Sequence, residues 1–193
     1  MNFLAHIFLS GEHGEVMVGN FIGDSVKGSE MGKFSPGVQE GIRLHRLIDS
    51  FTDNNKTVLK SKERLRGRYG KYSPVIVAIF YDHFLATHWE NYSHVSLRTY
   101  ADQTYTFLEG YYDIFPDRSR HFFKYMTLYD ILFSYSKIEG IERVMQGMSR
   151  RARFNSGMET SAKALVKDYA SYLDEFLSFC PELQKYVSGL KEN

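Results

Sequence analysis

The stretch Ser73 to Tyr92, SPVIVAIFYDHFLATHWENY, restricts this chain's folding choices more than any other. Ser73 followed by Pro74 reads as a helix N-cap with proline in the first turn, where its missing N–H costs nothing. Beyond it, Val75, Ile76, Val77, Ile79, Phe80, Phe84 and Leu85 point almost all round the helix. A helix apolar on every side has to be enclosed by others. Yet Asp82 and His83 fall at its centre, with His88 further on. An acid and an imidazole buried there need hydrogen bonds, a countercharge or a metal, because unpaired burial is costly.

The remaining sequence is able to enclose such a helix. Apolar spacings of three and four dominate, and only four prolines interrupt them. The expectation is an all-α chain forming a single domain over 1–193, a helical bundle around the buried helix at about 74–92. Further helices are predicted over 2–10, 14–27, 36–53, 55–69, 96–113, 118–136, 138–151 and 159–179, the last closed by Pro181. A formal net charge of +1 means that any charged partner has to be met by a local patch. The single cysteine, Cys180, rules out an internal disulfide and fits a reducing compartment. The opening MNFLAHIFLS is short and lacks a basic start, so it makes a poor signal peptide, and no apolar run reaches membrane-spanning length. A cytoplasmic protein is expected, with no membrane and no nucleic acid as partner.

Chemistry-bearing residues recur on predicted helices among apolar neighbours. His45, Asp49 and Asp53 share one stripe with Val38 and Ile42, a face that should point inward. His and Asp four residues apart can reach one ion, although a helix-stabilising pair is the blander reading. His6 lies among Phe3, Leu4, Ile7 and Phe8, where a lone histidine is more often a satisfied core residue. Asp24, after Gly19 and Asn20, reads equally well as a polar helix-end residue. Together, His6, Asp24, His45, Asp49, Asp82 and His83 form a mixed imidazole and carboxylate set, suited to Mn²⁺, Fe or Zn at a hydrolytic site. No serine stands in a nucleophile-elbow context and no glycine-rich phosphate motif occurs.

A basic run spans Lys56 to Lys71 and includes Lys60, Lys62, Arg64, Arg66 and Arg68, opposed only by Glu63. Such a run is usually a solvated face; between two site-bearing helices it is also a candidate docking patch. Arg150, Arg151 and Arg153 form a second cluster.

The ordered motifs MNFLAHIFLS, GNFIGDSVKG at 19–28, GIRLHRLIDSFTD at 41–53, FYDHFLATHW at 80–89 and IEGIERVMQGMSRRARFNSGM at 138–158 resemble the acyl carrier protein phosphodiesterases. That family looks like an atypical branch of the HD-domain metal-dependent phosphohydrolases, which implies an HD-like helical fold. The resemblance implies hydrolysis of the phosphodiester joining 4′-phosphopantetheine to a serine of holo-acyl carrier protein, with Mn²⁺ as the metal. It implies a strongly acidic partner surface around that serine. Carried onto matching positions, the site candidates become His6, Asp24, His45, Arg46, Asp49, Asp82 and His83, with Arg46 or Lys27 balancing phosphoryl charge. Where the family's pattern has an acid one turn before the Asp-His pair, this chain has Ala78. Two other readings follow: a phosphohydrolase of small phosphoesters or nucleotides, and a catalytically impaired carrier-protein binder.

Overall fold

Eleven α-helices follow one another in residues 1–191, the part of the chain that the computed structural model describes, and none of these residues lies in a strand. They are α1 (Phe3–Leu9), α2 (Glu15–Ile22), α3 (Pro36–Asn54), α4 (Lys56–Tyr69), α5 (Ser73–Thr87) and α6 (Leu97–Glu109). Then come α7 (Asp117–Leu128), α8 (Ile131–Ser134), α9 (Ile138–Arg151), α10 (Ser161–Lys167) and α11 (Tyr169–Lys191). Helix α5 packs against α1, α4, α9 and α11, and every residue from Ile79 to Ala86 is buried. That burial follows from its apolar circumference, since no face of it can be left to water.

Several boundaries differ from the sequence expectation, each for a local reason. Ser73 is already helical and its hydroxyl donates to the Gly70 carbonyl at 2.8 Å, so it does not cap the helix with its side chain. Helix α5 ends at Thr87 instead of Tyr92, and a short 3₁₀ turn over Trp89–Asn91 buries the indole, whose N–H donates to the Val95 carbonyl. The expected helix over 118–136 breaks at Asp130, which takes a left-handed conformation with φ of 48°. The last helix does not stop at Pro181: α11 runs through it. A helix-interior proline costs about 3 kcal/mol. Phe176, Phe179, Cys180, Leu183 and Val187 are buried along that helix, and each large side chain contributes about 1.5–3 kcal/mol. Burial wins. One cap escaped the sequence reading: the Asn55 side chain accepts from the amides of Thr57 and Val58 and starts α4 immediately after α3.

The closest helix pairing is α2 along α3. A Cβ on Gly19 would lie 2.0 Å from the Val38 carbonyl oxygen, and one on Gly41 would lie 2.0 Å from that of Val16. Backbone touches backbone there, and only glycine fits. Gly41→Ala should therefore destabilise the protein by about 3 kcal/mol or more in chemical denaturation. Gly28→Ala, where a Cβ meets nothing within 4 Å, should stay within about 0.5 kcal/mol.

Candidate metal centre

Three elements bring imidazole and carboxylate together. Helix α1 is only seven residues long, too short to be stable alone. Its N-terminal amides are held by Asp82: Leu4 N–H donates to one carboxylate oxygen at 2.8 Å, and Asn2 and Ala5 donate to the other at 3.3 Å. Burial pushes the Asp82 carboxyl up to about 7 even against these amides and the amino terminus. Anchored this way, α1 presents His6 to α3. Helix α3 supplies His45 and Asp49 one turn apart, and the 3₁₀ turn Gly23–Ser25 supplies Asp24. Gly23 makes room for the last approach, because a Cβ there would meet the His45 ring at 2.5 Å.

Asn20, on α2, arranges both rings. Its amide nitrogen donates to the His6 carbonyl at 2.7 Å and to the Ser10 hydroxyl at 2.9 Å, which leaves its side-chain oxygen as an acceptor. His6 Nδ1–H donates to that oxygen at 2.9 Å, and His45 Nδ1–H donates to the Asn20 backbone carbonyl at 2.7 Å. The rings stack with centroids 4.1 Å apart, and both Nε2 atoms face carboxylates. His6 Nε2 is 3.1 Å from Asp49 Oδ1; His45 Nε2 is 3.2 Å from Asp24 Oδ1 and 3.3 Å from Asp49 Oδ2.

These contacts require a cation. His45 Nε2 is buried and, despite its short distances, makes no hydrogen bond of acceptable geometry. In the protein alone one proton has to serve. Burial holds His6 down to about 4, opposed by Asp49. Burial also pulls His45 down, but the carboxylates of Asp24 and Asp49 outweigh it and raise that ring to about 9. Asp49 stays well below the usual carboxylate range because His45 and His6 overcome its burial, and the adjacent His45 ring lowers Asp24. A divalent ion meets the same demand with more charge. The separations suit it too, since donors each about 2.1 Å from one ion fall roughly 3–3.5 Å apart. His6, His45 and Asp49 offer atoms all within 4.8 Å of one another, with Asp24 beside His45, so the donor set fits a metal.

The other residues singled out in sequence have different partners. Asp82 serves the α1 amides, and His83 places Nδ1 2.7 Å from the Tyr135 carbonyl and Nε2 3.1 Å from the Tyr169 hydroxyl. Asp53 pairs with Lys62 at 2.8 Å. Arg46 is exposed and donates to the Val26 carbonyl at 3.0 Å, which sets it beside the Asp24 turn; Lys27, two residues past that turn, is exposed. In the basic helix, Arg64 makes a bidentate pair with buried Glu175, Lys60 reaches the same carboxylate, and Arg66 pairs with Glu63. Much of the α4 charge is thus neutralised within the protein. Asn20 and Gly23 were not singled out in sequence, although a lone amide in the apolar segment EVMVGNFI was a usable signal.

Comparison with known proteins matches the model of the family described as acyl carrier protein phosphodiesterase to residues 1–183. A relative of that name from Escherichia coli O6:H1 is 31% identical, over 97% of this chain and 98% of its own. Relatives of the same name from Yersinia pestis and Photorhabdus laumondii are 28% and 27% identical, over 96% of this chain and 96% and 94% of theirs. No solved structure matches.

Two expectations follow for the centre. Adding Mn²⁺ should raise the unfolding temperature, since about 2.7 kcal/mol is gained at 100 times Kd, and His45→Ala or Asp49→Ala should abolish the rise. Asn20→Ala should leave binding measurable in calorimetry but weaken it about 10–100-fold, the usual effect of losing a group that orients the ligands.

Proposed function

We propose, from the premise that this chain belongs to the acyl carrier protein phosphodiesterase family, that it cleaves the phosphodiester between 4′-phosphopantetheine and a carrier-protein serine. The chain is a phosphodiesterase by that membership, and its partner is acyl carrier protein in the holo form. The observation that carries the chemistry is the bare, buried His45 Nε2 facing Asp24 and Asp49. A divalent ion, for which Mn²⁺ is our choice, supplies Lewis-acid polarisation of a phosphoryl oxygen and water activation at neutral pH. His6, His45, Asp24 and Asp49 would hold it. Water adds to phosphorus, the bond to the serine oxygen breaks, and that oxygen takes a proton, giving apo-carrier protein and 4′-phosphopantetheine.

The remaining roles belong to this chain's own side chains. Asn20 keeps a proton on each Nδ1, so both Nε2 lone pairs stay available. Arg46 and Lys27, exposed beside the Asp24 turn, offset negative charge developing on phosphoryl oxygens. Position 78 is not needed to complete this set: two imidazoles and two carboxylates meet without it. That speaks for an active enzyme over an impaired binder.

Intact mass spectrometry tests the reading. With Mn²⁺, holo-carrier protein should lose its prosthetic group; a chelator should stop the loss and His45→Ala should slow it at least about 10³-fold. Cleavage of nucleotides or other small phosphoesters, with holo-carrier protein untouched, would overturn it. Charge reversal separates the basic surfaces. Arg64→Glu should lower the thermal midpoint by about 5 °C or more because it strands buried Glu175. Arg66→Glu, an exposed change, should hardly move it.

A further inference from the structure

A cavity of about 680 Å³ opens beside the metal centre, between α1, α5, α7 and α9. Asp24 belongs to both: it lines the cavity, its side chain is 60% exposed, and it lies 3.2 Å from His45 Nε2. Away from Asp24 the wall is mainly apolar. Phe3 stacks on Phe122 with centroids 4.0 Å apart, and Val75, Val144 and Met158 add aliphatic surface. Polar groups are scattered over the lining, among them Asn2, Ser25, Ser119, His121 and tyrosine hydroxyls, and Arg118 and Arg151 on it are exposed.

We infer that this cavity receives the 4′-phosphopantetheine arm, so that the arm's apolar and amide portions are bound while its phosphate reaches Asp24 and the metal ligands. The inference rests on the reading of the substrate given above. The scissile diester has a folded protein on one side and a slender arm on the other, and only the arm can enter a cavity. Its chemistry matches the wall: a dimethyl-bearing carbon and methylene segments suit the aromatic and aliphatic lining, and two amides and a hydroxyl suit scattered polar groups. The volume lies within the range of small-molecule sites. Arg118 and Arg151 would then face the carrier protein, which is acidic around the modified serine, and steer it so that the arm points inward.

The test fills the cavity and reads binding separately from turnover. Val75→Trp, at a half-buried wall position, should weaken binding of free 4′-phosphopantetheine in calorimetry roughly tenfold or more and raise KM for holo-carrier protein to a similar extent. The Mn²⁺-induced rise in unfolding temperature should stay as in the wild type, showing an intact centre. Met148→Phe, a milder change on the same lining, serves should the tryptophan variant fail to fold. Unchanged KM and unchanged binding in a folded, filled variant would overturn the inference. So would wild-type protein that cleaves holo-carrier protein yet binds no free arm at millimolar concentration. Failure of the wild type to cleave holo-carrier protein would instead strike the reading of function. The titration would then decide the cavity alone: binding lost on filling would sustain it, and no binding would end it.

Discussion

The Asp82 carboxylate on the first amides of α1 is the contact on which the rest of the site depends. A seven-residue helix has no stability of its own, and its free amides would be costly to bury. Asp82 satisfies three of them from inside a helix that is buried over most of its length. The position of His6 is therefore set by α5, even though α5 contributes no atom to the cluster of His6, His45 and Asp49. The buried acid in the apolar helix, the chief conflict in the sequence, is resolved by structure-building.

Around that anchor, the close pairing of α2 and α3 does the second part of the work. Gly19 and Gly41 let the two backbones touch, and the neighbour of Gly19 is Asn20. Contact at that range carries the Asn20 carbonyl to His45 Nδ1 and its side chain to His6 Nδ1. The electrostatics follow from the geometry. Two stacked imidazoles cannot both become imidazolium cheaply, and two carboxylates make it unfavourable for both to stay neutral. A site of this kind is poised for a cation.

Much of this was legible in the residues. Uniform apolarity predicted the enclosed helix, and the shared stripe of His45, Asp49 and Asp53 on α3 predicted an inward face, on which His45 and Asp49 meet while exposed Asp53 pairs with Lys62 instead. His6 and Asp24 looked ordinary one at a time, and it is the fold that sets them against the α3 pair. Asp82 and His83 were legible only in part. Periodicity shows that a polar residue is buried but not what satisfies it, and here the partners are the amides of Asn2, Leu4 and Ala5 and the groups of Tyr135 and Tyr169. The basic run has the same limit, because Glu175, more than a hundred residues later in the chain, cannot be seen opposite Arg64 from local sequence. Pro181 signalled a stop that the buried face of α11 overrode.

One consequence of Asn20 concerns how such a site changes over generations. The Asn20 side-chain oxygen lies 2.9 Å from His6 Nδ1 and 3.2 Å from His45 Nδ1, so it serves both rings, the three residues are energetically one unit and their substitutions should not add. A replacement at 20 that suits one ring alters the other, and a compensating change has to occur on α1 and α3 together. Change at positions 6, 20 and 45 is therefore expected to be coupled, a constraint that exposed positions away from the centre do not share.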